Sequence, residues 1–322
     1  MFHTKWQRLT VFSLILFAAI GSAGSFAQNK SRDIENIWGP RYRVSRRIRM
    51  PERHPFRHGS NSLDRLKHWN EVGIDASGLD HTPVADDEPG DRVFGEQLGP
   101  GRSARAMAIV HIAIFDAVNA IVGGYESYTG LHRVREATSI DSAIAKAAHD
   151  TLCAMFPSQT PSFDQLLSED LDDIPGGPAK ANGIELGRRA AARILAMRSN
   201  DGSQHTEPRV GIEWITSNQP GRWRQDPISL IPLALGAHWG EVRPFVLNSA
   251  RQFRVDPPPP MTSARYTNAF NEVKRLGGDG ITTLTERTDE QTVIGIYWAY
   301  DGTPSLCARR DFTIKLRCES LS

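Results

Sequence analysis

The chain predicts an all-α fold, a helical bundle, on three observations. Ser103–Ile121 is apolar at helical spacing, and no Gly or Pro interrupts it. Helix start and stop signals recur along the chain: Gly123-Gly124, Ser139, Thr160-Pro161 and Thr283-Leu-Thr-Glu286. No alternating apolar–polar run is strong enough to predict a strand, and no internal repeat is present.

Residues 1–27 read as a secretory signal peptide. Lys5 and Arg8 form a basic start, Val11–Ile20 is a short apolar run, and Ser25-Phe26-Ala27 offers small residues for cleavage before Gln28. An uncleaved anchor is the competing reading. Val11–Ile20 is too short for a comfortable membrane span, and no other apolar run reads as long enough to cross a bilayer. The expectation is a soluble, exported protein, periplasmic or extracellular, with no membrane span after signal removal.

Residues 28–61 form an Arg-rich linker. Arg41, Arg43, Arg46, Arg47, Arg49, Arg53 and Arg57 are opposed between positions 41 and 58 only by Glu52. Such a segment suits either a solvated linker or an arm on an anionic polymer. His54 and His58 have the i, i+4 spacing of helical metal ligands, but Pro55 between them argues against a preorganised site.

Residues 62–307 form the helical domain. Leu63, Leu66, His68, Trp69, Val72 and Ile74 predict a first amphipathic helix. Residues 80–101 carry Pro83, Pro89 and Gly90 and read as loop. Their acidic cluster lacks the ligand spacing of a calcium loop. Ser103–Ile121 is apolar nearly all round and so belongs in the middle of a bundle.

Three further helices follow: Ser139–Phe156, one opening at Thr160-Pro161, and Pro178–Met197. Residues 200–232 hold many Gly and Pro with Trp214 and Trp223, a loop long enough to be functional. After the Pro257–Pro260 spacer, helix resumes over Thr262–Leu276. A last helix is expected from Thr283 to about Tyr300.

The formal net charge is +1, and it becomes −1 once Lys5 and Arg8 are removed. A near-neutral chain gives no case for nucleic-acid binding. Cys153, Cys307 and Cys318 are too few for a disulfide framework. Cys153, within Thr151–Phe156, reads as a buried thiol.

Candidate chemistry is sparse. His111, Phe115 and Asn119 share one helix face, with Asp116 on another. This suits a metal or proton-transfer site, or a buried His with a structural partner. His238, Trp239 and Arg243 are the best pocket candidates, beside Arg222-Trp223-Arg224 in the long loop. Guanidinium next to indole suits an oxyanion, and equally suits ion pairs that lock a loop onto a bundle. Hydrolase elbow, phosphate-loop and dinucleotide motifs are absent.

Four segments together resemble the N-terminal half of bacterial vanadium-dependent haloperoxidases, relatives of the type 2 phosphatidic acid phosphatases. They are Ser103–Ala120, Gly124–Tyr128, Ala147–Leu152 and Trp298–Pro304. The resemblance implies an all-α bundle that binds vanadate and oxidises halide with hydrogen peroxide. It also implies a vanadate cradle of Lys with Arg-Pro, then Pro-Ser-Gly-His, then a final Arg and a metal-bonded His.

Pro-Ser-Gly-His does not occur in this chain. Arg243-Pro244 lies before Trp298, whereas the family's Arg-Pro follows it. No catalytic, cofactor-binding or metal residue is therefore carried over. The expectation is a bundle of the haloperoxidase type, incomplete at its C-terminal side, without bound vanadate, inactive alone and able to self-associate. An exported interaction module and a phosphatase-related remnant are the alternatives. Residues 308–322 read as a divergent tail. One choice of ordinary codons for Ala308–Lys315, shifted by one base, encodes Pro-Pro-Arg-Leu-Tyr-Asn-Gln, so the expectation is a frameshift near Ala308, with a natural divergent C-terminus as the alternative.

Overall fold

The computed structural model describes residues 61–84, 90–227 and 230–298. The signal segment, His54 and His58, nearly all the Arg-rich linker, Asp86–Glu88, Cys307, Cys318 and the tail lie outside the described residues. The described residues are all-α, with two isolated bridges, Arg209–Leu233 and Val210–Trp214.

Helix α1 spans Ser62–Asp80, and Asn61 caps it by accepting from the Asp64 N–H at 3.0 Å. Its buried face differs from the expected stripe. His68 and Trp69 are buried as expected, but Leu63 is exposed and Arg65 and Ala76 are buried instead. The cause lies on a distant helix. The fully buried Asp170 accepts from Arg65 Nε at 2.7 Å and from Trp69 Nε1 at 2.8 Å, so both polar groups can leave water.

Helix α2 spans Pro100–Val122 and starts three residues earlier than the apolar pattern suggests. Gly99, at φ +89°, turns the chain, and Pro100 supplies a preset φ at the first helical position. Gly123 ends the helix, its N–H donating to the Asn119 carbonyl.

Helix α3 spans Ile140–Met155, with Ser139 accepting from the Ser142 N–H at its start. Helix α4 is Thr160–Asp172, and helix α5 is Pro178–Arg198. The centre of the bundle is α3, which packs on α1, α2, α4 and α5. Helix α2, expected in the middle, leaves Phe115 and Val122 exposed. Among the described residues α2 is the one helix long and apolar enough to cross a membrane, which corrects the reading that no such run follows Val11–Ile20. Its buried face, with Arg105 and Asp116, belongs to the protein core.

Helices α3 and α5 approach closely because small residues face each other. A Cβ placed on Gly187 would sit 2.6 Å from the Ala143 carbonyl oxygen and 2.8 Å from the Ala147 nitrogen. Around this seam, Trp69, Ile109, Ile114, Ile144, Leu152, Phe156, Leu186 and Ile194 fill the core.

Beyond Arg198 the chain runs as a long irregular layer. It holds a short 3₁₀ turn, Trp239–Glu241, and then helices α6 (Ala264–Leu276) and α7 (Asp289–Trp298). The expected capping box at Thr283–Glu286 does not form. Asp279 takes the N–H groups of Ile281, Thr282 and Thr283 instead. The box lies five residues on. Thr288 Oγ1 accepts from the Gln291 N–H at 3.2 Å, and Gln291 Oε1 accepts from the Thr288 N–H at 3.0 Å.

Candidate functional site

Of the pocket candidates, His238 and Trp239 meet through His205, and Arg243 points away from them. Trp239 lies against the first turn of α2, where Gly101 leaves room: a Cβ there would come within 2.5 Å of the indole. The Arg102 guanidinium sits 6.0 Å from the Trp239 ring centroid. Both line a cavity of about 180 Å³ together with Glu207 and Leu235. His238 lies edge-on to His205 and Trp214 and 3.5 Å from Glu241, and the His205 ring stands between it and Trp239, 6.1 Å from the indole. The Arg243 guanidinium reaches the Met197 carbonyl, and its backbone N–H donates to the Asp201 carbonyl at 2.8 Å. Arg222, Trp223 and Arg224 are exposed in the long loop.

The residues singled out on α2 separate from one another. His111 Nε2 lies 3.0 Å from Asn70 Oδ1, and burial pushes its imidazole below the ordinary histidine range. Asp116 is fully buried. It accepts from the N–H groups of Tyr128 and Thr129 and the hydroxyls of Ser127 and Thr129, which ties down the loop after α2. Asn119 exchanges two hydrogen bonds with the Tyr125 backbone. These groups hold structure, and His111 and Asp116 have separate partners.

Sequence reasoning missed two clusters. The first is an arginine-lined cavity of about 290 Å³ where the start of α2 meets the end of α5, with Arg102, Arg105 and Arg198 in its wall. Asp201 accepts from Arg105 Nε and pairs with Arg198 Nη2, both at 2.8 Å. Burial alone would raise the Asp201 carboxyl. Hydrogen bonds from Arg105 and Ser203 outweigh it and hold the group below the ordinary range. Arg198 is 2% exposed and stacks 3.9 Å from the Phe245 ring centroid. The signal for this cluster is a buried Arg in each of two helices, which only tertiary pairing explains.

The second cluster spans α3 and α4. His149 Nε2 lies 2.8 Å from Asp164 Oδ1 and 3.5 Å from Cys153 Sγ, while its Nδ1 lies 2.8 Å from Asp150 Oδ1. Burial pulls the His149 imidazole down. Hydrogen bonds to Asp150, Cys153 and Asp164 outweigh that and carry it up to about 10. Cys153 is therefore not the buried core thiol expected. It is half-buried, on the same face of α3 as His149 one turn away. The spacing of His149 and Cys153 is visible in the sequence, but the approach of Asp164 is not.

With this geometry in hand, comparison places the chain among known proteins. No family model matches it. The vanadium chloroperoxidase of Curvularia inaequalis is 26% identical over 285 residues, covering 73% of this chain and 44% of that protein. The chain thus spans less than half the length of that relative. Among solved structures, the first bacterial vanadium-dependent iodoperoxidase matches with a TM-score of 0.51. It is 20% identical over 71% of this chain and 55% of that one. The structural likeness shows a shared all-α fold, and the sequence match makes the chain a homologue of that vanadium chloroperoxidase.

Proposed function

We propose that this chain is the scaffold portion of a vanadium haloperoxidase and that, by itself, it neither holds vanadate nor oxidises halide. The observation that carries the proposal is the state of its arginines. Vanadate is a multiply charged oxyanion that needs cationic donors still free to receive it and an imidazole to bond vanadium. The arginine-lined cavity does not fit that need, because protein oxygens already engage its guanidiniums and Arg198 Nε alone among their buried nitrogens lacks a partner. Arg105 and Arg198 share Asp201, and Arg102 donates to the carbonyls of Ser203 and His205 with Glu207 3.6 Å away. Among the described residues, no lysine and no histidine lines it.

The covering surface supports the same reading. From Val246 onward large apolar side chains stand in solvent: Phe270 is 57% exposed, Val273 73%, Ile281 88% and Leu284 87%. Exposed apolar side chains in this number are a feature of surfaces that meet a partner. In this proposal the remaining length of a haloperoxidase would cover that face and supply the cradle, with halide and hydrogen peroxide as the whole protein's substrates. Export to the periplasm or beyond forms part of the proposal and rests on residues 1–27.

The test is an assay of the purified chain with vanadate, hydrogen peroxide, bromide and phenol red. The expected result is no vanadate-dependent bromination of the dye. Bromination that requires both vanadate and the protein overturns the proposal. Light scattering on the same sample separates the alternatives. A scaffold with an uncovered apolar face associates as concentration rises, whereas a self-sufficient interaction module stays monodisperse.

A further inference from the structure

We propose that His149, Cys153 and Asp164 form a binding site for zinc or a chemically similar divalent ion on the α3–α4 seam, separate from any vanadate chemistry. His149 and Cys153 are one helical turn apart and so project from the same face of α3. Asp164 belongs to the early part of α4, which packs on α3. One ligand atom from each, the imidazole nitrogen, the thiol sulfur and a carboxylate oxygen, all lie within 4.8 Å of one another.

The spacing suits a tetrahedral ion. Bonds of about 2.0–2.1 Å to nitrogen and oxygen and about 2.3 Å to sulfur place donor atoms roughly 3.3–3.7 Å apart. The His149–Cys153 edge, at 3.5 Å, already has that length. The His149–Asp164 edge, at 2.8 Å, must open by roughly half an ångström. Asp164 is the partner free to move, because its side chain is 62% exposed.

The donor set selects the ion. Imidazole with thiolate suits zinc, cobalt and similar borderline-soft metals. Calcium and magnesium prefer shells of oxygen. The support around the ligands has the matching form. Nδ1 of His149 is held by Asp150 at 2.8 Å, and Asp150 is held by Lys146 Nζ at 2.8 Å. A carboxylate on Nδ1 fixes the ring and turns Nε2 toward Cys153 and Asp164, where the ion would take the place of the Nε2 proton. With Asp164 at the surface, the fourth position faces solvent, the open arrangement of three-ligand zinc sites.

The test uses the full chain, stripped of metal and titrated with Co²⁺ and then with Zn²⁺. The expected result is one equivalent of tetrahedral cobalt with a sulfur-to-metal charge-transfer band, displaced by zinc. Cys153→Ser abolishes that band, whereas Cys307→Ser and Cys318→Ser keep it. Asp164→Asn, at an exposed position that leaves the core untouched, weakens Co²⁺ binding at least tenfold. Asp150→Asn weakens it by about 10–100-fold. The proposal is overturned by a band that survives Cys153→Ser, by unchanged affinity in Asp164→Asn, or by absence of the band in the parent chain. Rapid alkylation of Cys153 without Co²⁺ binding also overturns it, and assigns the cluster to an activated thiol. None of these readouts depends on haloperoxidase activity.

Discussion

Helices α1–α5 and helices α6–α7 carry the same local helix signals, yet the two regions reach opposite states. The first five helices bury a continuous core. Helix α6 has no buried residue, although Tyr266, Phe270 and Val273 recur at helical spacing along it. Capping and periodicity decide whether a segment is helical. Whether its apolar face is buried depends on what lies opposite. For α1–α5 the partner is among the described residues, and for α6 it is not.

The comparison can be broken most directly at Asp170. This carboxylate has 0% exposure and holds Arg65 and the Trp69 indole from across the bundle. Asp170→Ala leaves a buried guanidinium with only the partly exposed Asp141, at 3.1 Å, and is expected to destabilise by about 3–5 kcal/mol. Urea denaturation of the two proteins checks this. In the other region, Arg275–Glu286 is a pair of exposed side chains at 3.1 Å, and Glu286→Ala is expected to shift the urea midpoint little.

Glycines sharpen the same contrast. Gly187→Ala drives a methyl into the α3 backbone and is expected to cost about 1–3 kcal/mol. In α7, a methyl added at Gly295 would meet no atom within 4 Å, so Gly295→Ala adds only helix propensity, up to about 1 kcal/mol. Thermal unfolding of both variants should therefore move in opposite directions.

These positions also show what the sequence reveals. The all-α fold and the starts of α3, α4 and α5 were legible because Ser139, Thr160-Pro161 and Pro178 act within one turn. Gly183 and Gly187 stand four apart in an Ala-rich helix, a visible sign of close packing, but the opposing Ala143 and Ala147 could not be identified from spacing. The pattern of α1 points to Leu63 rather than Arg65 as buried, because Arg65 can leave water only once Asp170 arrives from 105 residues away. The candidate sites were harder still. His238, Trp239 and Arg243 are neighbours in sequence, but the first two share His205 while Arg243 turns to the end of α5. His149, Cys153 and Asp164 meet only through the α3–α4 contact.

A smaller effect is expected from pH, and it too is confined to the packed region. Burial raises the Asp80 carboxyl to about 6, against the opposing pull of His81 and the N–H groups of Gln97 and Glu96. Between about pH 4 and 6 the folded state then binds more of this proton than the unfolded state. Its contribution to stability is fully present below about pH 4 and is lost as pH rises through 6, with a slope of at most about 1.4 kcal/mol per pH unit. Asp80→Asn removes the titration, so the difference between its urea midpoint and the parent's should change across this window and be flat above it.

The smallest effect is the most informative about the uncovered face. Phe270→Asp and Val273→Asp each place a charge where a hydrophobic side chain now meets water. If nothing among the described residues covers α6, each should change stability by no more than about 0.5 kcal/mol. Leu152, fully buried in α3, is the matching control, and Leu152→Ala should cost about 2–5 kcal/mol. The same two charges should suppress concentration-dependent association, because they interrupt the apolar surface that drives it. A loss of several kcal/mol at Phe270 would instead mean that α6 packs against the bundle in solution. The contrast between the two regions would then be one of degree, and the proposal that further haloperoxidase sequence covers this face would lose its structural support.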